Sequence, residues 1–221
     1  MRKGLTISEL LVAMAIIGVI AVLVIPGFLK DYHKKLYTTQ LKKTYEMLYT
    51  AVEEACSDYN VTAFSQTPYY TADGSSTQVK AFLNKYFKTT RPAKNLSLNI
   101  FNSTYRSLTD TDKEESWTKT GLSIYVPKTT LKSGEAIGIA CKNQDTEPKH
   151  SCDIFVDVNA TAGPNIGGRD MFAFKLNADT NEIYDADWTA CQPDLASNAT
   201  GDPGGHGCLS RIIKDNWVML Y

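Results

Sequence analysis

The chain has 221 residues, of which 43% are hydrophobic and 21% charged, and its formal net charge is −1. That length and apolar content fit one globular domain with an ordinary core plus a membrane helix. So balanced a charge offers no generic polyanion-binding surface, and no nucleic-acid partner is expected.

The N-terminus organises the rest. Arg2 and Lys3 precede Gly4; Leu5-Thr6-Ile7-Ser8 follows, then one carboxylate, Glu9, and no charge occurs from Leu10 to Leu29. A run of about 20 residues spans roughly 30 Å as a helix, one bilayer core. The h-region of a signal peptide is shorter, about 7–15 residues, and ends in a small-residue cleavage site that is missing here. The run therefore reads as a retained membrane helix. A carboxylate at the lip of such a helix is costly and calls for a partner. Cleavage after Gly4 would place the new α-amino group of Leu5 one helical turn from Glu9, able to meet the Glu9 of a neighbouring copy. The alternative is a helix cap, with Ser8 and Glu9 in the first turn where the helix dipole favours negative charge.

Gly4-Leu5-Thr6-Ile7-Ser8-Glu9-Leu10-Leu11-Val12, followed by Ala15-Ile16-Ile17-Gly18-Val19-Ile20-Ala21, resembles the class III signal of type IV pilins and pseudopilins. The resemblance implies that a prepilin peptidase cuts after Gly4 and methylates Leu5, and that Glu9 serves filament assembly. Gly18 and Pro26 match the helix-weakening positions of that family. Leu5 departs from the commoner phenylalanine or methionine. The resemblance also implies copies of itself or other pilins and an inner-membrane assembly machinery as partners. It implies a single-pass inner-membrane state before assembly and an extracellular or periplasmic filament after it. It carries the orientation as well, because Lys30, Lys34 and Lys35 beyond the run offset Arg2 and Lys3 in any charge count.

Between Gly27 and Pro68 there is neither proline nor glycine. Leu41, Tyr45, Leu48, Val52 and Ala55 recur at steps of four and three, one face of a helix. The membrane helix is expected to continue to Asp58, its first half a hydrophobic stalk and its second half packed on a head. A kink or local melting between Gly18 and Pro26 is one expectation, a tolerated membrane proline the other. From residue 59 to 120 the pattern is broken and polar, a connector with one helix over 76–87 whose Val79, Phe82, Leu83 and Tyr86 share a face; 109–116 reads as a charged loop. From 121 onward short strands alternate with turns: 122–126, 136–140, 153–158, 171–176 and 182–184. The layout is thus 1–4 leader, 5–29 membrane and assembly half of the helix, 30–58 amphipathic half, 59–120 connector and 121–221 sheet head. The fold class is α+β, a long helix laid on an antiparallel sheet.

Cys56, Cys141, Cys152, Cys191 and Cys208 show no C-x-x-C spacing, and His33, His150 and His206 are scattered, so a zinc site is not indicated. An anchor that exports the bulk of the chain favours disulfides. The polar stretch 142–151 reads as a hairpin loop that sets Cys141 against Cys152. Cys191 and Cys208 bracket a second loop, and that pair resembles the cysteine-closed C-terminal loop of many type IV pilins. Cys56 is left as a small buried hydrophobe, unless it takes one of the four and strands another.

The stretch 157–170 holds three glycines, a proline and several Asx residues. Asp157, Asn159, Asn165 and Asp170 supply the oxygen donors of a calcium site, although the bidentate glutamate of an EF-hand is missing; the same residue types also make tight turns. No other cofactor is indicated. No G-x-S-x-G, H-E-x-x-H or P-loop occurs, and His206 near Cys208 lacks the third group that a reactive thiol needs. The chain reads as a non-enzymatic structural subunit of a type IV pilus or pseudopilus; a minor pilin or membrane-anchored adhesin is the alternative.

Overall fold

The computed structural model describes residues 6–71, 76–93, 100–102, 104–106, 108, 114–116, 126–145, 147–185, 191 and 205–221. The chain divides into two units, Met1–Leu36 and Tyr37–Tyr221. Helix α1, Ile7–Asp58, contributes to both and runs through Gly18 and Pro26 without interruption. Its apolar residues in the first unit are exposed, Leu10, Leu11, Ile16, Ile17, Val22 and Leu23 among them. A helix apolar around its whole circumference has no face to lay on a water-soluble core. Length and composition suit it to cross a membrane.

In the second unit the helix becomes one-sided. Tyr37, Thr38, Leu41, Thr44, Leu48, Ala51, Val52, Ala55 and Cys56 are buried, at the three- and four-residue steps that line one face. Tyr45, expected in that stripe, is half-buried and meets the Trp217 ring edge-on at 5.5 Å between centroids.

The sheet is a five-stranded antiparallel meander in the order β3 (Lys128–Thr130), β4 (Ala136–Asn143), β5 (His150–Asp157), β6 (Met171–Asn177) and β7 (Glu182–Tyr184). Successive side chains of a strand point to opposite faces, and here both faces of the centre are covered. Ile154, Val156, Phe172 and Phe174 join Leu41, Leu48 and Val52 of α1 in the main core. The intervening Phe155, Met171 and Ala173 form a second cluster with Tyr105 and Val126. That is why β5 is buried almost end to end instead of alternating with solvent. Helix α2, Ser76–Tyr86, adds Val79, Phe82 and Leu83 to the main core.

The architecture is α+β, and several features depart from the expected layout. No strand was expected at β3, which lies beyond Pro127. Glu114–Ser116, expected in a charged loop, forms β2, paired antiparallel with β1, Thr104–Arg106. Three residues carry no readable alternation; the pairing is a backbone event. Strands β4 and β5 run further than expected, because their ladder continues through Cys141–Asn143 and His150–Cys152 with exposed Lys142 and Asn143. A helix, α3, Cys208–Lys214, follows the glycine-rich stretch, where no helix was expected. It is too short to show a period. Burial of Cys208, Leu209 and Ile212 holds it, together with Asp185 Oδ2, which accepts the Leu209 N–H at 3.1 Å. Of the expected strand over 122–126, residues 122–125 lie outside the described residues, as do the leader residues Gly4 and Leu5, and Val126 is in a bend two residues before β3 instead of in a strand.

Candidate functional site

The first candidate is the start of α1. Thr6 precedes the first helical residue, and its Oγ1 accepts the Glu9 N–H at 3.3 Å. Glu9 reaches back: its Oε2 accepts the Thr6 backbone N–H and the Thr6 hydroxyl, each at 2.8 Å. This is a capping box, which satisfies orphan donors at a helix start reciprocally. Within one chain Glu9 is therefore a capping carboxylate, exposed, with both of those bonds on a single oxygen. Sequence reasoning named Glu9, with Ser8, as a capping carboxylate; the signal it passed over is the threonine three residues before the glutamate, ahead of an apolar run. Gly18 and Pro26 lie inside the helix, and a Cβ added at Gly18 would meet nothing within 4 Å. At Gly18, then, the lone chain leaves open space where a neighbour's backbone can come close.

The second candidate is the β5–β6 loop. Asp157 Oδ2 accepts the Tyr105 hydroxyl at 2.7 Å, and Oδ1 accepts the Asn159 N–H at 3.1 Å. Asp170 accepts the Asn165 N–H at 2.7 Å and the Ile166 N–H at 2.6 Å, one on each oxygen. All four carboxylate oxygens thus take donors from the loop or from β1. The Asn159 side-chain amide donates to Gly163 O at 2.9 Å, while Asn159 Oδ1 and Asn165 Oδ1 are buried without a partner among the described residues. Burial pushes Asp157 up to about 8, with the nearby Asp170 charge adding to the shift; the Tyr105 hydroxyl and loop N–H groups oppose it. Asp170 is also raised, chiefly by burial. The structure keeps the four proposed oxygen donors in one loop but spends the carboxylates on that loop's backbone and on the Tyr105 hydroxyl. Among the described residues no group of three or more His, Cys, Asp or Glu is placed to hold a metal ion.

The cysteines form the third group. Cys141 and Cys152 face each other in the β4–β5 register and are bonded. Cys191 is bonded to Cys208 at the first residue of α3. Cys56 is free and 5% exposed on the buried stripe of α1. Burial raises its thiol pKa, the opposite of what a nucleophile needs.

Sequence reasoning also missed a polar cluster at the C-terminal end of α1. Asp58 Oδ2 accepts from Lys85 Nζ and from the Tyr86 hydroxyl, each at 2.8 Å. The same ammonium lies 5.6, 5.9 and 4.9 Å from the ring centres of Tyr59, Tyr69 and Tyr86. The Lys85 hydrogen bond holds Asp58 below its usual carboxylate range. Three segments of chain meet here, 58–59, 69 and 85–86, and no spacing in the sequence announces it.

The chain is 28% identical over 99 residues to the type IV major alpha-pilin of Moraxella bovis, a match covering 45% of this chain and 58% of that pilin. The chain thus spans less than two thirds of the length of the curated relative it matches. No family model matches the chain, and no solved structure matches it.

Proposed function

We propose that this chain is a structural subunit of a type IV pilus or a related pseudopilus, processed after Gly4 by a prepilin peptidase and assembled through α1. The observation that carries the reading is α1 over residues 7–29: apolar, exposed apart from half-buried Ala21, and with Glu9 as its one carboxylate. The likeness to a major alpha-pilin supports it.

The mechanism follows from what that surface can do. In lipid the apolar side chains are already solvated by hydrocarbon, so moving α1 into a bundle of like helices gains little from the hydrophobic effect. Selectivity has to come from the polar group. Cleavage after Gly4 creates an ammonium at Leu5 next to the capping box. Glu9 Oε2 is occupied by Thr6; Oε1 stays available to the ammonium of a neighbouring subunit. That pairing offsets the cost of a carboxylate at membrane depth and fixes the axial register. Extraction from the bilayer is the work of the inner-membrane assembly machinery.

The test joins processing to assembly. The mature chain is expected to begin at Leu5 with one extra methyl group, read by intact mass. Glu9→Ala is expected to be processed and inserted normally yet depleted from sheared surface filaments beside wild-type subunits. Wild-type incorporation of Glu9→Ala reduces Glu9 to the capping role, and a retained Met1 removes the processing step.

A further inference from the structure

Five Asn-x-Ser/Thr triplets occur in the chain, at Asn60, Asn95, Asn102, Asn159 and Asn198. That triplet is the acceptor for N-linked glycan, provided the asparagine lies at an accessible surface. Accessibility separates them. Asn95, Asn198 and the middle residue of the Asn102 triplet, Ser103, lie outside the described residues. Asn159 is half-buried, and its amide donates to Gly163 O inside the β5–β6 loop. Asn60 is exposed, as is Thr62. Neither the Asn60 side-chain amide nor the Thr62 hydroxyl makes a hydrogen bond among the described residues.

The local backbone explains the presentation. Asn60, two residues past the end of α1, sits in the left-handed region, φ 52°, a conformation asparagine adopts more readily than most residues. The chain there is pinned from behind. The Val61 N–H donates to Cys56 O at 3.0 Å, its side chain packs against the main core, and Thr62 O accepts from Asn181 Nδ2 at 3.1 Å. With Val61 turned inward, Asn60 and Thr62 face solvent on either side of it. The two disulfides of the same unit place its maturation where thiols are oxidised, outside the cytoplasm.

We propose that Asn60 is an N-glycosylation site, its donor an oligosaccharide carried on a polyprenyl pyrophosphate. In the transfer, Asn60 Nδ2 forms a bond to the anomeric carbon and the bond from that carbon to the phosphate oxygen breaks. The lipid pyrophosphate leaves with the electron pair, and the amide gives up one proton to a base of the transferase. Tyr59, 43% exposed and stacked edge-on against Tyr69, offers the first sugar an aromatic face beside its attachment point. None of this depends on filament assembly.

The experiment is mass spectrometry of the full-length protein from the cells that make it. Tryptic peptide 44–80 is fragmented by a method that keeps glycans attached. The expected result is a saccharide mass on Asn60, lost in Asn60→Gln and Thr62→Ala, retained in Thr62→Ser, and unaffected by Asn159→Gln. Each change at 60 and 62 is on the surface, and the thermal transition of every variant checks that folding is intact. An unmodified wild-type peptide, a saccharide located on Ser or Thr instead, or full occupancy in Thr62→Ala overturns the proposal.

Discussion

Asp157 is buried to 0% exposure with a second buried carboxylate, Asp170, near it. An isolated charge there is expensive, and the native chain answers by holding the proton. With the folded pKa raised to about 8 from an ordinary 3.8, the folded state binds a proton that the unfolded state has released across that window. Stability therefore falls as pH rises from about 4 to about 8, by about 1 kcal/mol per pH unit at the steepest. Asp157→Asn removes the titrating group and keeps an oxygen for the Tyr105 hydroxyl. Its melting temperature should fall less between pH 5 and pH 8 than that of the parent, and parallel curves refute the assignment. Calcium discriminates the other reading of the loop. With every carboxylate oxygen already accepting a donor, millimolar calcium should leave the melting temperature unchanged. A rise that Asp157→Asn abolishes assigns the loop to a metal.

At the scale of elements, the two disulfides do different things. By chain entropy each contributes about 3 kcal/mol through the unfolded state. In the folded state Cys141–Cys152 lies within a continuous β4–β5 ladder, whereas Cys191–Cys208 anchors α3, a helix of two turns. Replacing Cys191 and Cys208 by Ala should speed amide exchange at Arg211 and Asp215 while the β4 and β5 amides stay protected. Replacing Cys141 and Cys152 should lower the melting temperature without that selective loosening. Equal exchange in α3 for both variants removes the distinction. The same contrast explains what was legible beforehand. Helix α1 was readable to its last residue because a period sustained from Leu41 to Ala55 is long enough to count. Strands β4, β5 and β6 were readable at their apolar centres and not at their polar ends, where only the ladder continues them. Strands β1, β2 and β3 and helix α3 were invisible because each is too short to show a period: pairing makes the strands, and burial, Asp185 and the disulfide hold the helix. At the start of α1 the glutamate drew notice and the capping threonine did not, since a cap is local geometry at one oxygen. The Asp58–Lys85 cluster needed the fold itself.

On the scale of the whole chain, burial has a sharp beginning. Before Tyr37 no described residue is buried; Ala21 and Lys34 are intermediate and the others exposed. From Tyr37 onward α1 contributes to the main core through Leu41 and Leu48, each at 0% exposure. Removing residues 1–29 therefore deletes no buried side chain among the described residues and leaves a helix that begins two turns before the first core contact. The remaining helix, 30–58, is longer than the about 12–15 residues below which isolated helices are marginal, and its packing supplies the rest. The deletion also takes away the exposed apolar surface that requires lipid or detergent. A chain of 30–221 should be soluble without detergent, carry both disulfides, and melt cooperatively within a few degrees of the full chain in detergent. Circular dichroism melts and non-reducing peptide maps check this. An aggregated fragment, or one melting far below the full chain, would show that the first unit contributes to the fold of the second, although none of its described residues is buried.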